Sequence, residues 1–256
     1  MFSLQDKVTI VTGAASGIGA AIADSYARVG ALVYVADCNQ AGAAAVVRRL
    51  EQDGGRARLA VIDVASEAQC QALAERVLSE NDNRCDVLVN NAGVGHVGSI
   101  LTTDPADLER LWQINLKGAY YLSRALLPAM IARRAGSIIN LASVAGITGM
   151  ESRFAYTVTK HAVVGMTRAL AMDHGQTGVR INCICPGRTQ TPFVEARLKE
   201  YPNPQEYIQQ LVAPHALKRM AQPSEIAAAA VYLASDEAAF VTGSTLVVDG
   251  GYTAGK

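Results

Sequence analysis

Tyr156 and Lys160 are the residues whose type and spacing most directly suggest chemistry. Apolar residues recur at three- and four-residue steps from Ala155 to Leu170, which predicts a helix. Four residues span about one helical turn, so the phenol and the ammonium are expected on one face. A phenol is mostly protonated at neutral pH, and a neighbouring ammonium favours its ionised form. The pair could serve as a general base with its activating cation; the alternative is an ordinary helix surface.

Two further polar residues, Ser143 and Asn115, stand where a loop and a helix distortion are expected. Ser143 follows the apolar run Ser137–Leu141, which predicts a buried strand, so its hydroxyl lies at the strand's carboxyl end. There it could hold a reacting substrate oxygen by a hydrogen bond. Asn115 interrupts good helix formers in the helical region 105–132, which predicts a local distortion. A solvated helix surface is the alternative for this asparagine.

A glycine-rich turn separates the first predicted strand, Lys7–Thr12, from the first predicted helix. Backbone N–H groups of such a turn can bind a phosphate at the helix N-terminus, because no Cβ obstructs its approach. The spacing is Gly-x-x-x-Gly-x-Gly, and a plain tight turn is the alternative. We expect a dinucleotide to contact five residues of the turn: Gly13, Ser16, Gly17, Ile18 and Gly19.

Asp37 follows the second predicted strand, Ala31–Ala36. A carboxylate roughly 20 residues beyond the glycine turn is placed to accept hydrogen bonds from an adenosine ribose 2′-hydroxyl. The same charge would repel a 2′-phosphate, and positions 14, 15, 38 and 39 carry no Arg or Lys to attract one. The sequence therefore predicts NAD rather than NADP as cofactor. The alternative is that Asp37 caps the helix beginning near Asn39.

Strands and helices alternate along the rest of the chain, which predicts an α/β fold with a doubly wound parallel sheet of Rossmann type in one domain, 1–256. The third strand is followed by two predicted adenine contacts, Asp63 and Val64. Amide and small residues after the fourth strand would let a cofactor approach closely: Asn91, Ala92 and Gly93. The proline-rich segment 191–214 predicts a substrate lid with short helices. Further strands are predicted at 56–62, 87–89, 180–185 and 245–248.

Composition excludes several classes of protein. The 256 residues carry zero formal net charge, with Lys and Arg scattered along the chain, which argues against binding of nucleic acid or an anionic membrane. No apolar run approaches the roughly 18 to 20 residues of a membrane span, and from the residue types near Met1 we expect no signal peptide. The five cysteines show neither a disulfide framework nor metal-ligand spacing, so we expect no metal and a cytoplasmic location.

Together these motifs resemble the short-chain dehydrogenase/reductase family over nearly the whole chain. The resemblance rests on the glycine turn, Asn90–Gly93, Asn115, Ser143, Tyr156-x-x-x-Lys160 and Pro186-Gly187. It implies a nicotinamide cofactor, an active site of Asn115, Ser143, Tyr156 and Lys160, and usually a homotetramer. Asn115 would then hold a water that links Lys160 to solvent. Further cofactor contacts are expected after strand six, at Pro186, Gly187, Thr189 and Thr191; Thr189 departs from the aliphatic residue that is frequent in the family.

Arg153 and Arg188 are the residues that suggest a substrate class. Arg153 lies one turn before Tyr156, and Arg188 follows Pro186-Gly187, so both could face the nicotinamide end of the cleft. Two guanidiniums suit an anionic small-molecule substrate, because Arg binds a carboxylate bidentately. The alternative is a rim or intersubunit ion pair for either one. His96 could also line the pocket, whereas His161, His174 and His215 are expected on helix surfaces or in packing.

The segment Cys185–Val194 is similar to that of bacterial sugar and sugar-acid dehydrogenases, especially those acting on 2-keto-3-deoxy acids from L-rhamnose or L-fucose. This resemblance implies oxidation of the C4 hydroxyl of a 2-keto-3-deoxy-L-sugar acid of the rhamnonate or fuconate type. The alternative within the family is a 3-oxoacyl or hydroxy-acid dehydrogenase. A non-catalytic NAD-sensing protein is a more distant alternative, since such a protein would be expected to lose the tyrosine or the lysine.

Overall fold

The computed structural model describes residues 2–192, 194 and 203–255. Its described strands are β1 Val8–Thr12, β2 Leu32–Asp37, β3 Arg56–Val61, β4 Val87–Asn90, β5 Gly136–Leu141, β6 Val179–Pro186 and β7 Thr245–Val248. The described α-helices are α1 Gly17–Arg28, α2 Gln40–Gln52, α3 Glu67–Glu80, α4 Pro105–Trp112, α5 Gly118–Arg133, α6 Phe154–His174, α7 Pro204–Val212 and α8 Pro223–Ala234. The predicted strand–helix alternation is thereby confirmed, and the strand ends agree with the prediction within one residue.

The seven strands form one parallel sheet in the order β3-β2-β1-β4-β5-β6-β7. The chain reverses its direction of travel across the sheet between β1 and β4, which pair with each other in the centre. In an open parallel sheet this reversal leaves a crevice at the carboxyl ends of the strands, because the loops on either side lead away from each other. The predicted fold class is confirmed, and the glycine turn after β1 opens onto this crevice.

Helices cover both faces of the sheet, as parallel strands require for burial. One apolar layer lies between the sheet and helices α1 and α8, where Tyr26 is fully buried and donates its hydroxyl to Ala230 O at 3.0 Å. The opposite layer packs α3 and α5 on the sheet through residues such as Leu73 and Leu126. The two layers hold the strand ends, and hence the loops of the crevice, in fixed positions.

The distortion predicted at Asn115 is present. Residues Gln113–Lys117 form a π-helical turn between α4 and α5. The predicted helical region 105–132 is therefore continuous, but this turn is wider than an α-helical turn and contains an additional residue. A π-turn displaces a side chain from the regular helix surface and is frequent at functional sites. Asn115 lies within this π-turn and is buried.

The predicted lid, 191–214, falls partly outside the described residues, since 193 and 195–202 are not described. Of the predicted short helices, α7 is present, with Pro204 in its first turn and Asn203 capping it by accepting from Glu206 N at 3.4 Å. None of the described helices combines the length and the apolar character needed to span a bilayer.

Candidate active site

Tyr156 and Lys160 lie on one face of α6, as the spacing predicts. The Lys160 Nζ is 5.7 Å from the centre of the Tyr156 ring, and Tyr156 is half-buried. The lysine is only 4% exposed, and its Nζ donates to Leu141 O, the last carbonyl of β5, at 2.7 Å. An ammonium has three donors. Among the described residues Lys160 uses one of them, so two N–H groups are available for a bound molecule.

Asn115 is held by a set of hydrogen bonds around the π-turn. Its Oδ1 accepts from Val94 N at 2.8 Å, and its Nδ2 donates to Val94 O at 3.0 Å and to Thr159 Oγ1 at 3.1 Å. The side-chain amide is thus committed to the loop after β4 and to α6. These hydrogen bonds fix the loop after β4 against α6. The water that Asn115 was predicted to hold stays a prediction.

Gly93 lies where Asn115 and Lys160 converge. A Cβ at this glycine would lie 3.2 Å from Asn115 Oδ1 and 3.5 Å from Lys160 Nζ. The loop after β4, the π-turn and α6 therefore meet at one place. Three of the four residues predicted to be catalytic are brought to the carboxyl edge of the sheet by this meeting, and the fourth, Ser143, reaches it from β5.

Ser143 stands two residues beyond the end of β5 and begins the short 3₁₀ turn Val144–Gly146. Its Oγ accepts from Ala145 N at 3.1 Å, which leaves the hydroxyl proton free to be donated. The turn lies directly against α6, since a Cβ at Gly146 would come within 2.7 Å of Lys160 O. This close approach places the Ser143 loop beside the helix that carries Tyr156 and Lys160.

The glycine turn after β1 is compact. Its backbone segments approach so closely that a side chain at Gly13 or Gly19 would collide with neighbouring atoms. Gly13 and Gly17 have φ of +63° and +56°, in the region that favours glycine. A Cβ at Gly19 would lie 2.2 Å from Gly13 O. Asn91 braces the turn from β4 by donating from Nδ2 to Thr12 O at 2.8 Å and to Gly13 O at 3.1 Å. The turn, with Ser16 and Ile18 at the start of α1, forms a cradle of the kind a diphosphate occupies.

Asp37 ends β2 beside this cradle. Its Oδ2 accepts from Ala15 N at 2.9 Å, and its Oδ1 accepts from Asn39 N at 2.8 Å. The cap of α2 is Asn39, whose side chain accepts from Gly42 N at 3.1 Å, and not Asp37, which was the alternative role for this carboxylate. The carboxylate is therefore fixed between the glycine turn and the end of β2, where the ribose position was predicted.

The two predicted adenine contacts differ in exposure. Asp63 is exposed, and its Oδ1 accepts from Ala65 N at 2.9 Å. The Val64 side chain is buried against α5, where a Cβ at Gly118 would come within 2.9 Å of it. An adenine ring above this loop would therefore meet the Asp63 side chain and the backbone, rather than the Val64 side chain.

The loop after β6 contains the remaining predicted cofactor contacts, beginning at Pro186. Gly187 N donates to Val248 O at 2.9 Å, and a Cβ at Gly187 would come within 2.8 Å of Asp249 Cα. Thr189 is buried, and its hydroxyl donates to Gly187 O at 3.2 Å, so the departure from an aliphatic residue is accommodated. Thr191 reaches the glycine turn, since a Cβ at Gly17 would lie 3.3 Å from its methyl group.

Arg153 and His96 lie together. Arg153 Nη1 donates to His96 O at 3.2 Å, at the amino end of α6. The imidazole Nε2 of His96 is 3.4 Å from Asp107 Oδ2 in α4, and its buried Nδ1 has no hydrogen-bond partner among the described residues. The two predicted substrate residues thus join the loop after β4 to α6 and to α4.

Arg188 lies in a different part of the crevice, in a small cavity with His215, Arg219, Glu225 and Asp249. Arg219 forms a bidentate pair with Glu225 at 2.6 and 2.7 Å. Within the described part of the chain, the Arg188 guanidinium makes no ion pair. The Asp249 carboxylate accepts from Gly251 N and Thr253, and these hydrogen bonds outweigh its burial and lower its pKa.

Sequence reasoning missed three residues that shape the site. Thr12 Oγ1 accepts from both Asn91 N and Ala92 N at 3.0 Å and so joins β1 to the loop after β4. Thr159 accepts from Asn115 and donates to Tyr156 O at 3.0 Å. His215, expected on a helix surface or in packing, is buried and also accepts from Arg188 N. Thr159 could have been suspected from its place between Tyr156 and Lys160, and Thr12 from its place directly before the glycine turn, whereas no local pattern marks His215.

Known proteins resemble this chain over nearly its whole length. The family model described as "Enoyl-(Acyl carrier protein) reductase" matches residues 13–253. The rat protein named "Dehydrogenase/reductase SDR family member 6" is 39% identical over 254 residues, covering 99% of this chain and 100% of its own.

Two solved structures are also similar over nearly their whole length. L-sorbose reductase from Gluconobacter frateurii, complexed with NADPH and L-sorbose, has a TM-score of 0.94 at 33% identity, covering 98% of each chain. A Beutenbergia cavernae protein, provisionally described as an NAD(P)-dependent gluconate 5-dehydrogenase and holding NADP at low occupancy, has a TM-score of 0.92 at 37% identity, covering 99% of each chain.

Proposed function

The chain belongs to the short-chain dehydrogenase/reductase family, and from that premise we propose that it oxidises a secondary alcohol of an anionic sugar-like substrate with NAD, using Tyr156 as the general base. Oxidoreductase activity follows from the family. The cofactor's identity, the substrate and the roles of individual residues are the proposal. For the substrate we propose the C4 hydroxyl of a 2-keto-3-deoxy-L-sugar acid of the rhamnonate or fuconate type.

The observation that supports this proposal best is the placement of Lys160. A buried ammonium is costly unless its donors are used, and Lys160 uses one of three among the described residues. The two remaining donors suit the hydroxyls of a cofactor ribose or a water that carries protons to solvent. The same ammonium is 5.7 Å from the centre of the Tyr156 ring, so the proposed base and a buried cation are neighbours in the site.

The residues divide the chemistry of alcohol oxidation among them. The bound dinucleotide supplies the acceptor for the hydride. Tyr156 Oη, as phenolate, accepts the proton of the substrate hydroxyl while the carbon–oxygen bond becomes double. Ser143 Oγ donates a hydrogen bond to the same substrate oxygen and holds it in place, since its acceptor side is already used by Ala145 N. Asn115 keeps the loop after β4 against α6, which keeps Lys160 beneath the reacting centre.

The dinucleotide would extend along the crevice in the proposed mode of binding. Asp63 and Val64 would flank the adenine, Asp37 would bind the ribose, and the turn Gly13–Gly19 would bind the diphosphate. Asn91, Ala92 and Gly93 would lie alongside. The nicotinamide end would contact Pro186, Gly187, Thr189 and Thr191, with Tyr156 and Lys160 beneath it. The closeness of Thr191 to Gly17 supports this line, because it joins the nicotinamide end of the site to the diphosphate end.

An anionic substrate is supported by the charges at the nicotinamide end. The Arg188 guanidinium lines a cavity and has no ion pair among the described residues, whereas the neighbouring Arg219 is neutralised by Glu225. The Beutenbergia cavernae protein that is similar to this chain is provisionally described as acting on gluconate, which is itself a sugar acid. His96 and Arg153 would line the other wall of the substrate pocket.

Removing the guanidiniums separates the contributions of Arg153 and Arg188. We expect Arg188→Ala to raise KM for the sugar acid about 10- to 100-fold with little change in kcat, because a charge-assisted hydrogen bond is worth about 1.5–3 kcal/mol. Arg153→Ala should raise KM less, since Arg153 Nη1 already donates to His96 O. Steady-state kinetics on both variants would measure this, and an unchanged KM in both would rule out carboxylate binding by these residues.

The function itself is tested by following NADH absorbance with a panel of sugar acids, uncharged sugars, polyols and hydroxyacyl compounds. Turnover that is fastest with a 2-keto-3-deoxy-L-sugar acid supports the proposal. Turnover fastest with a hydroxyacyl compound would instead favour a 3-oxoacyl or hydroxy-acid dehydrogenase. Tight NADH binding without turnover of any compound would favour a protein that senses NAD.

We also propose a homotetramer in a reducing, cytoplasmic compartment. Exposed apolar side chains on α5 and α6 support the assembly: Tyr120, Val158 and Met172, the last 84% exposed. All five cysteines are free thiols, and four of them are buried, which suits a reducing compartment. Sedimentation equilibrium should give a mass near four times the 27.0 kDa of one chain, and a mass of one chain would exclude the assembly.

A further inference from the structure

His215 is a buried imidazole that touches the proposed nicotinamide loop. It lies shortly after α7, is 2% exposed, and its backbone N donates to Val212 O at 2.9 Å. Its ring packs against Tyr252, with the ring centres 5.1 Å apart. Its Nε2 accepts from the backbone N of Arg188 at 3.3 Å. A side chain distant in sequence thus holds the main chain that follows Pro186-Gly187.

The Arg188 backbone is fixed from two sides. Arg188 O accepts from Ala221 N at 2.8 Å, and Gln190 N donates to Ala221 O at the same distance, so the loop pairs with a short extended segment. On the other side, Gly187 N is held by β7. The Arg188 N–H between them has the imidazole as its partner. Without that acceptor a partly buried N–H would be left without its hydrogen-bond partner.

The surroundings of His215 favour its neutral form. Because Nε2 accepts, the ring proton lies on Nδ1, which is buried and has no well-formed hydrogen bond among the described residues, with the carbonyls of α7's last turn nearby. The charged and titratable groups around the ring are Arg188, Asp249, Tyr252, Arg219 and Glu225. Burial first, and then the Arg188 guanidinium, lower the pKa of His215. A charged ring would present a second N–H to the Arg188 N–H and break the contact.

We propose that His215 is a positioning residue for the dehydrogenase reaction: its neutral imidazole holds the Arg188 backbone and thereby sets the loop Pro186–Thr189 for cofactor and substrate. This inference rests on the proposed function, since that loop is where we place the nicotinamide end of NAD and the substrate anion. His215 touches neither the cofactor nor the substrate, and it acts through Arg188.

Two variants distinguish the effect of the His215 hydrogen-bond acceptor from the effect of its ring packing against Tyr252. His215→Phe keeps an aromatic ring against Tyr252 and removes the acceptor, whereas His215→Gln keeps an acceptor that can reach Arg188 N. We expect His215→Phe to raise Kd for NADH and KM for NAD and for the sugar acid about 10-fold each, with kcat within about 3-fold of wild type. His215→Gln should restore the three constants to within about 3-fold. His174→Phe, the same change at the end of α6, is the matched control and should change none of them.

The pH dependence of KM for NAD provides a second test, because a simple loss of packing at His215 would not change it. As pH falls below 6.5, protonation of His215 should raise KM for NAD in the wild-type protein, and this acid limb should be absent from His215→Gln, which has no titratable ring there. If His215→Phe does not fold, the pH profile of His215→Gln decides the question.

Three results would overturn the inference. Unchanged NADH binding and KM values in His215→Phe would show that the acceptor does not matter. An acid limb that persists in His215→Gln would assign the titration to another group. Wild-type protein that binds neither NADH nor NADPH in a fluorescence titration would refute the proposed function and this inference with it, whereas the first two results leave the proposed function intact.

Discussion

Tyr156→Phe should lower kcat about 10³-fold while the Kd for NADH stays within about 3-fold of wild type. The variant removes one oxygen, the one we propose as the base, and general base catalysis contributes about 10²- to 10⁴-fold to such reactions. The aromatic ring itself remains on α6 near Lys160, so the fold and the cofactor cradle are expected to persist. Stopped-assay rates with the best substrate of the panel, and NADH fluorescence titration, would measure the two quantities.

A control for this variant is Tyr120→Phe, which makes the same change at an exposed tyrosine of α5 outside the proposed site. Its kcat should equal that of wild type. Turnover by Tyr156→Phe at the wild-type rate would remove Tyr156 as the base. In that case the arrangement of Lys160, Ser143 and Asn115 would need another proton acceptor, and Ser143 would be the next residue to substitute.

Asp37→Asn should shift the ratio of kcat/KM with NAD to kcat/KM with NADP by about 10²- to 10³-fold towards NADP. Asparagine keeps the shape of the side chain and can still accept from one of the two N–H groups that hold Asp37. What it removes is the charge that repels a 2′-phosphate. Two unit charges about 4 Å apart interact with about 4 kcal/mol near a protein surface, and about 1.4 kcal/mol corresponds to a tenfold change.

The same substitution at Asp53, an exposed carboxylate at the end of α2, provides the control and should leave the ratio unchanged. The wild-type protein should itself prefer NAD. If it uses NADP as well as or better than NAD, the role assigned to Asp37 is wrong, whatever the variant does.

The solved relatives make this prediction a demanding one. The sorbose reductase that is similar to this chain is complexed with NADPH, and the Beutenbergia cavernae protein holds NADP. Overall similarity therefore does not separate the two cofactors. Three local features favour NAD: the carboxylate of Asp37, its fixed position beside Ala15 N, and the lack of Arg or Lys at positions 14, 15, 38 and 39.

Local rules of chain geometry made much of the protein predictable from its sequence. The Tyr156–Lys160 pair could be placed on one face because helical spacing is fixed. The glycine turn could be placed between β1 and α1, because strands and helices have different apolar periods. The distortion at Asn115 was predictable from a poor helix former among good ones, and the sheet order agrees with the rule that parallel strands are joined by crossovers.

The contacts that join distant parts of the chain were decided only by the tertiary structure. Lys160 donates a hydrogen bond to the carbonyl of Leu141, and His215 accepts one from the backbone N of Arg188. The Asn115 side chain is hydrogen-bonded to Val94 and Thr159. Several of these partners are backbone groups, which every residue possesses, so no sequence pattern marks them. Which carbonyl or N–H lies within reach of a side chain depends on the position of the strand ends and on the distance between the sheet and α6. Packing of the whole core determines that position and that distance.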